Sequence, residues 1–303
     1  MLNSTSNTYT LKREILNFTY KISKKLSKPD RKFSADMTYG MLASGSCLLT
    51  DVVDQLHESS RKVNSVERLT RHLDKGTPVK ALSAYLSVVR KWCPDESVIR
   101  LTARRKLYFH GKWIPATQLR NQRKGKIKTP LVYKGKRHDA YLSHVKVQIT
   151  ASRKDIYLVL VYGITEHPMM LATNKEIRSK EDVIKVALAY FSRWKIEEYF
   201  RCKKQMFHFE NFRVRKLAAI NSLNFYITLC MAFLAHISMK SGTNALRVAI
   251  IQKADPVKEK VHFCYYRLAK GISGILSYAK EGVRLWFRTK RPAYRQLCLR
   301  LTA

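Results

Sequence analysis

More than two basic side chains stand against every acidic one in this sequence: 58 lysines and arginines face 22 aspartates and glutamates, a net +36 over 303 residues. Self-repulsion on that scale opposes compaction and solubility unless a polyanion normally meets it. The cations are spread through KLSKPDRK, RNQRKGKIK and RLWFRTKRPAYR. A single like-charged tail reads as a disordered arm, whereas this spread reads as a folded body that meets phosphates over a wide surface. Nucleic acid is the expected partner. Hydrophobic content of 46% beside 26% charged residues excludes disorder of the whole chain. A membrane, the rival anionic partner, is not expected. The opening MLNSTSNTYTLKREI has no signal-peptide core, and no lipidation motif occurs. The longest apolar run, from Leu223 to Ile237, is short for a bilayer and contains Asn224, Thr228 and His236, so it predicts a buried helix. Six cysteines without a CxxC pair read as reduced thiols of a cytoplasm.

The order along the chain is helical, then β-rich, then helical. Tyr9 to Trp92 reads as helix: Asn64 with Glu67 forms a capping-box pattern before SVERLTRHLDK, Gly76 stops it, and Pro78 begins another helix. CPDES, at Cys93 to Ser97, breaks the pattern. VIRLTA, KLYFH, PLVYK, YLSHVKVQIT and DIYLVLVYGIT then carry the β-branched and aromatic residues of strands. Val145, Val147 and Ile149 alternate with polar neighbours and predict one wet face, while Ile156 to Tyr162 should lie deeper. Ser179 with Asp182 opens a long helix.

That helix contains YFSRWKIEEYFRCKK. On an uninterrupted helix Tyr190, Arg193, Glu197 and Lys204 fall within roughly 60° of one another. Ala189, Ile196, Phe200 and Phe207 form an apolar stripe that predicts packing beside this face, leaving Glu197 at the margin where a partly shielded carboxylate can bind a cation. Glu198 points about 100° away and is the weaker candidate. The alternative is a solvated ladder in which Arg193, Glu197, Arg201 and Lys204 pair with one another.

The spacing Y-x2-R-x3-E-x6-K resembles the signature of bacterial insertion-sequence transposases of the DDE class, in the group named for those four letters. The resemblance extends through MMLATNKEIRSKEDVIKVALAYFSRWKIEEYFRCKKQMFHFENFRV, and more weakly to MTYGMLASGSCLLTDVVDQLHESS. It implies an RNase H-like catalytic core, a mixed sheet flanked by helices with an inserted β-region before the glutamate helix. In such a core two aspartates and this glutamate hold two divalent cations, Mg²⁺ or Mn²⁺, for phosphodiester cleavage and strand transfer. By this resemblance Glu197 is the metal ligand and catalytic carboxylate, and Tyr190, Arg193 and Lys204 hold DNA phosphates.

The two aspartates are not found where the family needs them. Asp30, Asp36, Asp51, Asp54 and Asp74 fall in the helical start; Asp139 and Asp155 precede strands; Asp182 opens the motif helix and Asp255 lies in a later loop. Asp95 remains, close before the strand beginning near Ile99. In comparison with relatives, CPDESV reads as joined directly to IRLTARR, as if an internal deletion had removed the strands bearing both aspartates.

The expected fold is therefore α+β: an incomplete RNase H-like core with an inserted β-region, preceded by a helical domain and followed by a helical region. The expected division is 1–93 as a helical N-terminal, DNA-binding domain and 98–303 as the remnant of the catalytic domain. Within the latter, 98–172 is β-rich, 180–208 holds the glutamate helix and 217–303 is helical. Three functions compete: a working transposase; a DNA-binding remnant without catalysis, as a homodimer or paired with an intact transposase; and an unrelated RNA-binding protein. The expected location is the bacterial cytoplasm, at the nucleoid. The nine histidines show no ligand spacing, and His208 reads as a packing or phosphate-contacting residue. Leu285, Trp286 and Phe287 read either as a DNA-backbone contact or as the packed end of a helix.

Overall fold

The structure, a computed structural model, describes residues 2–92, 95–133, 135–254 and 264–283. Asp255, Leu285, Trp286, Phe287, Cys93 and Cys298 lie outside them. In chain order the elements are α1 (Leu2–Ser23), α2 (Lys28–Ser44), α3 (Leu49–Leu56), α4 (Lys62–Asp74), α5 (Val79–Arg90), β1 (Val98–Arg100), β2 (Lys106–Phe109), β3 (Lys112–Pro115), α6 (Ala116–Gln122), β4 (Ile127–Tyr133), β5 (Lys136–Ile149), β6 (Lys154–Tyr162), β7 (Met169–Thr173), α7 (Lys180–Phe191), α8 (Lys195–Phe207), α9 (Leu217–Met239), α10 (Asn244–Lys253) and α11 (Tyr265–Leu276). They form two units. One is helical and joins residues up to Trp92 with those from Glu197 onward; the other is the sheet unit, Cys93–Ile196.

In the helical unit, α2 is the surrounded element: every residue from Phe33 to Ala43 is buried. A helix buried on all sides is a core element even though Ser34, Asp36 and Thr38 lie within it. It packs on α9, with Phe33 edge-on to Tyr226 at 5.1 Å and Ser34 Oγ 3.2 Å from Tyr226 Oη; Phe18 of α1 adds an edge contact with Phe233 at 5.6 Å. Of the polar residues in α2, Ser34 and Thr38 donate their hydroxyls back to the carbonyls of Asp30 and Ser34, and buried Asp36 accepts from Arg68 of α4 at 3.2 Å. Helix α9 outruns the apolar stretch seen in sequence. It is long and apolar enough to cross a membrane by length and composition, so length does not exclude a span, but its burial within this unit gives it a core role.

Helix α4 begins at Lys62 with Arg61 as its N-cap, so Asn64 lies inside the first turn and is not the cap read from the sequence; Ser65 beside it is engaged elsewhere. Its hydroxyl donates to Glu58 at 2.6 Å and lies 2.8 Å from Ser60 Oγ, and its N–H already donates to the Arg61 carbonyl. Gly76, at φ +78°, ends the segment as read.

The sheet unit has seven strands in the order β1-β7-β6-β5-β2-β3, with β4 also paired to β5. Every described pairing is antiparallel, which differs from the mixed sheet implied by the resemblance. The connections β2–β3, β4–β5 and β5–β6 are tight turns, and a tight turn permits only antiparallel neighbours. His110 at φ +47° and Gly111 at φ +83° form one such turn. Strand β6 lies deep, as its apolar run predicts: Ile156, Leu158 and Leu160 face one cluster with Leu107, Ile114 and Leu119, while Val159 and Val161 face another with Val183, Val186 and Phe191 of α7. On β5, Val145 and Val147 are buried while His144 and Lys146 are exposed, the expected wet face. Strands β3, KWIP, and β7, MMLAT, are not among the strands read from the sequence; β7 is poor in the β-branched and aromatic residues that mark strands.

Helices α10 and α11 touch closely at Gly271, where an added Cβ would collide with the Ile250 backbone carbonyl. Gly271→Ala should cost about 2–4 kcal/mol and lower the thermal midpoint by several degrees. Gly274→Ala on the same helix, where the nearest atom is Lys253 O at 3.3 Å, should cost far less. Melting curves followed by circular dichroism check both.

Candidate nucleic-acid and metal site

The capping box that opens α7 is formed as read, with Asp182 N–H donating to Ser179 Oγ and Ser179 N–H to Asp182 Oδ2, both at 3.2 Å. The helix does not run on through the motif. A 3-10 turn at Ser192–Trp194 separates α7 from α8, beside a Ser192 hydroxyl that donates to the Ala189 carbonyl at 2.8 Å. A serine hydroxyl bonded back along the helix bends it, and a 3-10 turn steps by about 120° instead of 100°. Glu197 and Lys204, seven residues apart, share one face of α8. Tyr190 and Arg193 belong to the sheet unit, Glu197 and Lys204 to the helical unit.

Within the sheet unit Tyr190 is half-buried against the cluster under α7, its ring edge-on to Phe191 at 5.5 Å, and Arg193 is exposed. Within the helical unit Lys204 is exposed and paired with Glu210 at 2.5 Å. Glu197 is exposed and forms no hydrogen bond or ion pair with a described residue. The expected ladder is absent too: Arg201 pairs with Glu198 at 2.7 Å instead.

The predicted apolar stripe is likewise not the buried face. Ile196 and Phe200 are 51% and 52% exposed, Ala189 is exposed, and only Phe207 is buried. Helix α8 turns inward on Cys202, Lys203 and Phe207, flanked by half-buried Tyr199 and Met206. These positions keep helical spacing, but one of them is a lysine, which concealed the face in sequence. Buried Lys203 is accommodated by α9: its ammonium donates to Asn224 Oδ1 at 2.9 Å and Thr228 Oγ1 at 2.8 Å, and it lies 4.9 Å from the Tyr199 ring centre. Burial pushes its pKa down to about 8. Glu198, the weaker candidate in sequence, is the better held carboxylate, accepting from Tyr266 Oη at 3.3 Å as well as from Arg201.

Several aspartates are engaged elsewhere. Asp30 accepts from the hydroxyl of Ser27, the cap of α2, Asp36 meets Arg68, Asp54 meets Lys62, Asp74 meets Lys216, Asp139 meets Lys128, and Asp155 meets Lys146. Asp95 is exposed, its carbonyl accepting from Asn174 Nδ2. Burial pushes the thiols of Cys47 and Cys202 up to about 11 and about 12, which leaves both unreactive. His208 is the left-handed residue that ends α8, at φ +50°.

A groove of about 400 Å³ in the helical unit is lined by the segment Arg213–Lys216, the start of α3 and Asp74. The segment is extended, with half-buried Val214 between exposed Arg213 and Arg215, so both guanidiniums point away from the core. Neither forms an ion pair with a described residue, while Lys216 is held by Asp74 at 2.6 Å. The sequence reading passed over both arginines, although alternation in FRVR was the available signal.

The family described as Transposase DDE domain matches residues 46–234, more than half of the chain. The chain belongs to this DDE transposase family. No curated protein matches it. Membership makes DNA the partner of the family, and a divalent metal is typical of its chemistry. The residues described in this DDE transposase chain do not fit such a metal: no group of three or more His, Cys, Asp or Glu side chains stands close enough to hold one. Glu197 alone among many cations offers too few hard oxygen ligands.

Lys203→Met should be more stable than the wild type at pH 7, by up to ~3 kcal/mol, because the wild type must bury a charged ammonium below its depressed pKa. The penalty is full below about pH 8, where folded and unfolded chains are both protonated, and is gone by about 10.5, where both are neutral. The variant's advantage should therefore shrink between these values in urea titrations across pH. An advantage that does not change with pH contradicts the assignment.

Proposed function

We infer that this chain is a DNA-binding DDE transposase relative, of the group with signature Y-x2-R-x3-E-x6-K, whose strand-cutting centre is incomplete. In this reading an internal deletion at the junction of CPDES and VIRLTARR removed the aspartate-bearing strands of an RNase H-like core. Residues 1–93 are its helical DNA-contacting part and 98–303 the remnant of the catalytic domain. Tyr190, Arg193 and Lys204 are phosphate contacts, to which Arg213 and Arg215 are added. Mg²⁺ or Mn²⁺ would be bound weakly, through Glu197 alone. The chain acts in the bacterial cytoplasm at the nucleoid, as a homodimer or paired with an intact transposase.

The observation that supports loss of catalysis is the donor set: among the described residues no three metal-ligating side chains come together, and most aspartates are already paired with cations or caps. One observation favours the second reading, a working enzyme. Glu197 forms no ion pair with any described residue in a chain of net charge +36, as a carboxylate kept for a cation would.

Purified protein mixed with labelled element-end DNA, with and without Mn²⁺, separates the two. A band shift without nicking is the expected result; metal-dependent nicking abolished by Glu197→Gln makes the chain a working enzyme instead. Replacing Arg213 and Arg215 together by Ala should weaken binding to all sequences alike and reduce the slope of log K against log salt by about 2.

A further inference from the structure

The β2–β3 hairpin of the sheet unit has two unlike faces. Leu107 and Ile114, paired across the strands, are buried and hold the hairpin on the sheet. The next pair, Tyr108 and Trp113, projects from the opposite side because neighbouring residues of a strand alternate. Their rings lie edge to face at 5.6 Å, Trp113 is 45% exposed, and the Arg153 guanidinium lies 4.3 Å from the Tyr108 ring centre. Lys106, on the Tyr108 side of β2, Arg153 over the Tyr108 ring, and Arg104 and Arg105 just before β2 in sequence are exposed and form no ion pair with a described residue. The acid at this edge, Asp155, is engaged by Lys146 at 2.7 Å. Along the seam between β2 and β5 runs a groove of about 380 Å³, with Tyr108, Phe109 and His110 on one side and Lys146, Gln148 and Asp155 on the other.

A half-exposed indole, beside an aromatic ring that carries a guanidinium and with unpaired cations nearby, has the two components of single-strand recognition. The rings receive the π-faces of bases, and the cations follow the phosphates. A duplex keeps its bases stacked on one another and offers only its backbone. We propose that the outer face of the β2–β3 hairpin is a stacking platform for unpaired bases of single-stranded DNA, centred on Trp113 and seated by Tyr108 and Arg153. The proposal rests on the DNA-binding reading above and adds the strand state that this face selects.

Fluorescence anisotropy of the full chain tests it with three probes: oligothymidine, an abasic strand of the same length, and a duplex. Trp113→Ala should weaken oligothymidine binding about ten-fold and leave duplex binding unchanged, and Trp113→Phe should retain most of the affinity. The wild type should prefer oligothymidine to the abasic strand by a similar factor. DNA binding indifferent to Trp113, or equal loss on duplex and single strand, overturns the platform while leaving DNA binding in place. No binding to any probe overturns both. Should Trp113→Ala fail to fold, the wild-type comparison decides alone, since equal affinity for the base-bearing and abasic strands overturns the proposal.

Discussion

The packing of α2 on α9 is the constraint on which the helical unit depends. Residues 33–43 and 219–237 meet there, although the whole sheet unit lies between them in sequence. The helical unit closes only if the chain that leaves at Trp92 returns at Glu197. The sheet unit is in this sense an insertion into a helical core, and the motif's Glu197 stands at the point of return. Closing so long a loop costs entropy that grows only slowly with its length, and the buried aromatic contacts between α1, α2 and α9 offset it.

A chain of net charge +36 must also decide which cations to take inside. Most stay on the surface. Lys203 does not, and the neutral oxygens of Asn224 and Thr228 satisfy it without a carboxylate. A buried amine without a counter-ion costs stability at neutral pH, yet it ties α8, the helix of Glu197, to α9. Arg68 shows the opposite solution, with Asp36 and Glu58 both arranged around it.

Fold class and element order were legible because they rest on long periodic or alternating stretches, such as β5, β6 and the capped start of α7. The details that failed each turned on one side chain acting against its type. Ser192 bonded backwards beside a 3-10 turn, Lys203 went inside, and α4 started before Asn64, which left that residue within the helix instead of capping it. The family itself was legible from the spacing of the four motif residues, because that pattern survives a local break in the helix.

The two ingredients of a transposase respond differently to loss of sequence. Phosphate binding is the sum of many separate ion contacts, so cations scattered over both units retain it when some are removed. A metal centre requires several carboxylates at one point, and like-charged groups gathered there persist only while their ion binds them. In a chain this basic an aspartate readily finds a cation, as in the pairs Asp54–Lys62, Asp74–Lys216, Asp139–Lys128 and Asp155–Lys146. The sheet unit closes both of its apolar clusters with the strands it has, and its terminal strand β1 is only Val98–Arg100. An edge so short offers little template for pairing with another chain. On the reading proposed above, this is how a DNA-binding body outlasts the chemistry of its family.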